Sequence, residues 1–432
     1  MTGKTFTSDF KQTPYWWDIT PRPELGSPDL PAKVDVLIIG SGYTGLCAAL
    51  QIARAGRQVV VIDAQDAGWG CSSRNGGVVS NEIKPDYTQL AAKYGKEKAF
   101  HIVSEGHSAL AWITDFVASE KLDCDYKVTG MYYGAHNTAQ YKKLSSTFTN
   151  QHKGLENNGF VVPKSEQYKE IGTDLYHGGI VFEKHATVNP ARLHQGMLDL
   201  VVKAGASIIP FCTANRINKD SSGFEVSTLK GTIKANQVLV ATNGYTDGVS
   251  PWMRRRVIPI GSYMVATEPL PKELIDRLLP TDRPVVDTRK VVYYYRPSPD
   301  RTRIVFGGRV TIGETDTVNS GRLLARDLRI LFPELADYKI SHSWMGYIAF
   351  TFDHMAHVGQ HDGIYYAMGY CGSGIAMASY LGTRVGQQLL GKPEGKTGFD
   401  GLNFQTRPLY NGKPWFLSAS VAYYRLVDRF NI

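Results

Sequence analysis

The hydrophobic pattern first becomes decisive at residues 34–39, which are apolar except for Asp35 and rich in Val and Ile. A run of this kind predicts a strand buried on both faces of a parallel sheet. Leu46, Ala49, Leu50 and Ala53 then recur at i, i+3, i+4 and i+7, which predicts a helix over about 43–55 with one apolar face. Gly56 is placed to end it in a left-handed conformation. Residues 58–62 predict a second buried strand. Further on, 86–121 reads as one or two helices with Ala109, Trp112, Ile113 and Phe116 on one stripe. Residues 125–135 read as paired strands around Gly130, and 138–155 as a helix. Asn189-Pro190 opens another helix that ends near Gly205, with Pro in its first turn. A strand at 207–211 leads into a β-rich stretch, and 237–244 repeats the buried-strand pattern, ending in small residues. Residues 257–268 and 291–310 are β-rich and aromatic, as for a separate antiparallel sheet. A helix begins near Ile375 after a glycine cluster.

The turn between the first strand and its helix carries Gly40, Gly42 and Gly45. In a strand–turn–helix context these glycines have distinct tasks. Gly40 permits the tight turn, Gly42 lets a pyrophosphate approach the backbone, and Gly45 lets helix and strand pack closely. The helix N-terminus offers free N–H groups and roughly half a positive charge. Asp63 follows the second strand about 20 residues past the glycines, where a carboxylate accepts ribose hydroxyls and repels a 2′-phosphate. The constellation points to an adenine dinucleotide other than NADP. The stretch 64–80 is dense in Gly, Ser and Asn, which suits a backbone passing close to a flat ligand.

Composition narrows the class. A chain of 432 residues is long enough for two domains. A formal net charge of +8 is mild at this length. The five cysteines are scattered without CxxC or zinc spacing, so a reducing, cytoplasmic setting is expected and a metal is not. No apolar run approaches a membrane span. Arg254, Arg255 and Arg256 form a basic triplet with no neighbouring basic cluster, and read as a solvated strand start rather than a nucleic-acid patch. Residues 1–32 are polar and Pro-rich around Tyr15, Trp16 and Trp17, and predict an extended surface leader. The segment 415–430 is apolar with interspersed Arg425 and Arg429; packing on the body or on a second subunit is expected, a membrane surface being the alternative.

Taken in order, several blocks resemble the FAD-dependent oxidoreductases of the D-amino-acid oxidase, glycine oxidase and sarcosine oxidase group. They are the fingerprint at 40–45, the block 72–77, and the stretches 189–193, 241–246, 255–263, 266–270, 306–309 and 369–375. The resemblance implies an α/β fold, α+β overall, with a Rossmann-like FAD-binding domain and a discontinuous antiparallel-sheet substrate domain. The expected division is a leader at 1–32, an FAD domain from 33–100, 181–256 and 341–395, a substrate domain from 101–180 and 257–340, and a C-terminal segment at 396–432. It also implies FAD contacts by Gly40, Ser41, Gly42, Thr44, Gly45, Asp63 and Ala64. Ser73, Arg74, Asn75, Gly76 and Gly77 follow along pyrophosphate and flavin. Thr213 and Ala214 flank adenine, Thr242 and Asn243 also contact the cofactor, and Gly372, Ser373, Gly374 and Ile375 face the flavin pyrimidine. Arg74 stands where some relatives carry a linking histidine, so non-covalent FAD is expected.

The implied chemistry is oxidation of a C–N bond in a small amine or amino acid, such as a polyamine derivative or secondary amine. Such a site uses placement and an aromatic wall more than a strong base. Tyr132, Tyr133, Tyr263, Tyr294 and Trp344 are candidates for that wall. Arg296 is the candidate for a substrate carboxylate, and His354 or His357 for proton transfer. Oxygen or a quinone or other carrier takes the electrons. The alternatives are a tRNA-modifying flavoprotein of the same fold and a flavin with a structural role only. A homo-oligomer is compatible with all of these.

Overall fold

The computed structural model describes residues 5–26, 28–308 and 316–430. Arg309 of the 306–309 block and the outer ends of the leader and C-terminal stretches lie outside them.

The apolar run at 34–39 becomes the strand Lys33–Ile39, paired in parallel with Val59–Ile62 on one side and Gly231–Val240 on the other. Asp35 is tolerated near the strand start because it accepts hydrogen bonds from the Gln58 N–H and the Asn236 amide. Six strands form the main path of this sheet, in the order 214–220, 223–228, 231–240, 33–39, 59–62 and 207–209, and a hairpin of His357–His361 and Ile364–Met368 joins Gly231–Val240. Helices Tyr43–Arg54, Lys96–Ser119, Pro190–Lys203 and Gly374–Leu389 share one core on this sheet. Lys96–Ser119 is a single helix that crosses the expected boundary at residue 100; Ala109, Ile113 and Phe116 are buried, and Trp112 stacks on Phe116 at 4.8 Å.

The second sheet has nine strands, in the order 6–11, 340–351, 257–267, 304–308, 293–297, 285–287, 131–134, 178–182 and 159–163. Its outer face packs on helices Thr317–Leu331 and Lys272–Leu278 through Val265, Phe306, Leu324 and Leu328.

Three local expectations change. Residues 125–135 do not form a hairpin. Gly130 has φ +75°, Lys127 makes an isolated bridge to Thr187, and the strand Met131–Gly134 takes its partners from 178–182 and 285–287. The helix begun at Thr138 stops at Thr149, where the Asn150 amide turns back to the Ser146 carbonyl. The leader is no plain surface strand: Phe6–Lys11 adds in parallel to Ile340–Thr351, and Trp16 is fully buried.

Candidate active site

Gly40 has φ +109°, and a side chain there would meet the Ala241 carbonyl at 2.8 Å. A Cβ on Gly45 would lie 1.9 Å from the Gly40 carbonyl oxygen, and one on Gly42 would lie 2.9 Å from Ser72 Oγ. The turn is therefore as tight as the glycine spacing demands. Asp63 Oδ2 accepts from the Ser41 N–H at 2.8 Å and the Ser41 hydroxyl at 2.7 Å, while Oδ1 accepts from Gln65 N–H at 3.0 Å. Burial pushes the Asp63 carboxyl up, and these donors pull it back. Ala64 is exposed beside it. The Cys212 N–H donates to the Asp63 carbonyl at 2.7 Å, which brings Thr213 and Ala214 alongside. Thr242 and Asn243 follow Ala241, and Asn243, with φ +46°, accepts the Gly369 N–H at 2.9 Å.

Gly369 leads into the second glycine turn. Thr44 and Tyr370 share a hydroxyl–hydroxyl bond of 2.6 Å, so the two turns touch. Behind them a Cβ on Gly382 would lie 2.5 Å from the Thr44 carbonyl, so the helices 43–54 and 374–389 cross through small residues.

His194 was not anticipated by the sequence reading. It sits on the inner face of Pro190–Lys203, 1% exposed, with Nε2 donating to the Ser41 carbonyl at 2.8 Å. Burial pushes its imidazole down to about 4, against the pull of that bond. The sign of the pH effect follows. Below the ordinary value of 6.5 the unfolded chain takes a proton that the folded one refuses until about pH 4. Stability should be complete above pH 6.5 and fall by on the order of 3 kcal/mol as pH drops to about 4. Urea unfolding at a series of pH values checks this: His194→Gln should flatten part of that slope, and an unchanged slope would refute it.

The block 71–77 is held by three indoles. Trp17 Nε1 donates to Ser73 Oγ, Trp344 Nε1 to the Arg74 carbonyl and Trp16 Nε1 to the Asn75 carbonyl, each at 2.8 Å. The Arg74 guanidinium lies between Trp69 at 4.0 Å and Trp17 at 4.7 Å, and donates to the Trp69 and Met345 carbonyls. Burial lowers its proton affinity. Asn75 ties the turn by donating to the Cys71 and Ser72 carbonyls and accepting the Gly77 N–H. A Cβ on Gly76 would lie 3.0 Å from the Tyr294 ring, which sets this block against the nine-stranded sheet.

Strand register decides which side chains of that sheet face the block. One cross-strand row runs Tyr133, Val286, Tyr294, Gly307, Met264, Trp344. The neighbouring row runs Tyr132, Val285, Tyr295, Phe306, Val265, Ser343 and points to the other face. Tyr133, Tyr294 and Trp344 thus lie on the side of the 71–77 block. Tyr132 and Tyr263 belong to the core on the far side, with Val265 and Phe306, which corrects the expectation that they wall the site.

Arg296 is also displaced from its expected task. It is 4% exposed, and its guanidinium donates to the carbonyls of Pro297 (3.1 Å), Gly77 (3.1 Å) and Val188 (2.9 Å). A buried guanidinium has to satisfy its donors locally, and these carbonyls make it a brace for Gly77. His354 is exposed in a tight turn at φ +61°, edge-on to Phe350. His357 is buried against the Asp353 carboxylate at 3.0 Å and stacked on Phe404, a structural pair. Among the described residues no cluster could hold a metal, and no helix is long and apolar enough to cross a membrane.

At the second turn, Ser373 precedes the helix Gly374–Leu389 without capping it, and nothing lies within 4 Å of a Cβ placed on Gly374. Ile375 is buried behind it. The Ser373 hydroxyl reaches Glu82 at 3.5 Å, and Glu82 pairs with Lys84 at 2.8 Å. Glu82, Lys84, Trp16 and Trp17 join the site without having been singled out chemically. The Trp pair was visible as a patch, whereas two exposed-type residues in a loop gave no signal.

A dinucleotide fits this cradle on two observations. Helix 374–389 has no side-chain N-cap, and helix 43–54 has none from its cap residue Gly42, although its Tyr43 N–H donates to Ser72 Oγ at 3.0 Å. Uncapped N–H groups at glycine turns are what anionic and carbonyl oxygens require. The open space at Gly374 lies at the second of these turns.

Comparison with known proteins agrees. A family model described as FAD dependent oxidoreductase (DAO) matches residues 35–388. The chain is 30% identical over 403 residues to γ-glutamylputrescine oxidoreductase of Escherichia coli K12, covering 92% of this chain and 93% of that protein. It is 30% identical to a probable oxidoreductase of Rhizobium meliloti, covering 96% and 97%. Among solved structures, glycine oxidase of Geobacillus kaustophilus superposes with a TM-score of 0.73 at 18% identity, over 88% of this chain and 99% of that one. The chain belongs to the DAO family of FAD-dependent oxidoreductases and is an FAD enzyme.

Proposed function

We propose that this enzyme oxidises the C–N bond of a small primary or secondary amine, with γ-glutamylputrescine or a related polyamine derivative as substrate. The observation that carries the reading is the aromatic row Tyr133–Tyr294–Trp344 set against the 71–77 block and close to the second glycine turn. The name of the Escherichia coli relative supports the choice of amine. Bound in the cradle, FAD supplies the sink for the hydride leaving the substrate carbon. The amine nitrogen loses a proton, the C–N bond becomes an imine, and water then yields an aldehyde and ammonia, or the smaller amine where the nitrogen is secondary.

In this reading Gly40, Ser41, Gly42, Thr44, Gly45 and Asp63 hold the pyrophosphate and ribose. The 73–77 block and residues 372–375 hold the flavin. Burial raises the Tyr133 phenol, with Glu82 and Asp287 adding to the effect. Tyr133 therefore keeps its proton and orients the amine rather than accepting from it. Alkylammonium attraction to such a wall contributes about 0.5–2 kcal/mol. The parallel sheet with its helices serves as the FAD-binding unit and the nine-stranded sheet as the substrate unit.

FAD is held without a covalent bond in this proposal. Burial pushes the thiols of Cys71 and Cys371 up to about 11, so neither is a ready nucleophile. Acid precipitation should leave the flavin in the supernatant, and yellow pellets would contradict it.

Anaerobic mixing with amines tests the function, read as loss of the oxidised-flavin band at about 450 nm. γ-Glutamylputrescine and putrescine should bleach it faster than glycine, sarcosine or D-alanine. Bleaching by the α-amino acids alone would remove the polyamine reading. Admitting air afterwards shows whether oxygen takes the electrons.

A further inference from the structure

Residues 81–84 lie in a loop beside the second glycine turn, with Asn81 and Ile83 half-buried and Glu82 and Lys84 exposed. Asn81 bonds the rings of His185 and His107, while Ile83 packs against Gly106. The Glu82 and Lys84 side chains are 44% and 34% exposed. The pair is joined at 2.8 Å, and Ser373 holds the second Glu82 oxygen at 3.5 Å. Lys84 lies over Gly372, where no side chain intervenes. The Glu82 charge is felt at Tyr133. An accessible ion pair of this kind contributes little to stability, yet Glu82 touches Ser373 of the second turn and acts electrostatically on Tyr133 of the aromatic row.

We propose that Glu82 and Lys84 read the non-reacting end of the substrate, and that this end is a zwitterionic α-amino-acid group. Glu82 takes the ammonium and Lys84 the carboxylate, so two opposed pairs form a neutral quartet. A purely cationic end would meet Lys84 as a like charge, and a purely anionic end would meet Glu82. Arg296 commits its Nε and Nη1 to main-chain carbonyls, and Lys84 is the cation beside the second turn. The inference rests on the amine-oxidation reading and names the substrate class for that same site.

The test compares γ-glutamylputrescine with N-acetylputrescine, which keeps the amide and the reacting amine but lacks the zwitterion. The wild-type enzyme should favour the first in kcat/KM. Glu82→Gln and Lys84→Met should each lower the ratio of the two kcat/KM values by about tenfold or more, the size of a lost charge-assisted bond. Glu82→Asp and Lys84→Arg should recover part of it, and unaltered flavin spectra confirm that the variants fold. A ratio near one in the wild type, or one that the variants leave alone, overturns the proposal while amine oxidation stands. If neither amide bleaches the flavin but another amine does, the polyamine reading and this inference fall together.

Discussion

Gly45→Val is expected to yield a protein without flavin and with little folded material. The first atom of any side chain at Gly45 would sit 1.9 Å from the Gly40 carbonyl oxygen and 3.3 Å from Ile38 Cγ2. The nearest obstacle is main chain, so no rotamer change relieves it. The helix Tyr43–Arg54 would have to lift from Lys33–Ile39, opening a core that contains Val36, Ile38, Leu46 and Leu50. Ordinary overpacking costs about 1–3 kcal/mol, and a forced separation of two buried elements exceeds it, at about 4 kcal/mol or more. Gly56→Ala is the matched control. Gly56 has φ +76° with nothing within 4 Å, so only backbone strain of about 1 kcal/mol opposes the change. Flavin content per chain and urea midpoints measure both. A yellow Gly45→Val protein with a wild-type midpoint would refute the packing argument.

Replacing Trp16, Trp17 and Trp344 with Phe should weaken FAD binding more than changing Tyr133 or Tyr294. Phenylalanine keeps an aromatic ring and removes the indole N–H. The changes at Trp16 and Trp344 take the indole donor from the Asn75 and Arg74 carbonyls, whereas Ser73 Oγ loses Trp17 and keeps Arg22 at 3.4 Å. Trp16 and Trp344 are fully buried, so water does not easily substitute, and each loss costs about 1–3 kcal/mol. If that cost falls on the bound state, a single change weakens FAD about tenfold and the triple change by a hundredfold or more. Because the three act on one loop, their effects should not add independently. Trp415→Phe, at an exposed position, should leave affinity untouched. Titration of the apoprotein with FAD decides the matter, and a triple variant with wild-type affinity would show that the clamp is incidental.

The elements that were legible in the sequence are those whose determinants are local. The spacing of Gly40, Gly42 and Gly45, the apolar run before them and the Asn189-Pro190 start depend on neighbours a few residues away. Asn189 does cap its helix by accepting from the N–H groups of Ala191 and Arg192. What was not legible depends on distant partners. Tyr132 and Tyr133 look alike in sequence, as do Tyr263 and the residues flanking it. Their faces are fixed by register against a strand 153 residues away, Tyr132 against Val285 and Tyr133 against Val286. Arg296 was read from its charge, but the carbonyls of Gly77 and Val188 that claim it are set by the fold. The leader read as polar because its useful groups are two indole N–H donors, which no periodicity reveals.

The pairing of Phe6–Lys11 with Ile340–Thr351 also sets an order of assembly on the ribosome. The strand made early is an edge without a partner until residues around 340 have been synthesised. At about 5–20 residues per second that wait lasts tens of seconds. Throughout it Trp16 and Trp17 have their early partners Asn75 and Ser73 but lack Met264, Ala266, Val305 and Trp344, against which Trp16 is buried. The nascent chain can form its first βαβ unit early, but it cannot close the loop that holds the cofactor until four-fifths of the protein exists. FAD capture is therefore a late event, and a shortage of FAD should show itself as aggregation of nearly complete or full-length chains rather than as stalled synthesis.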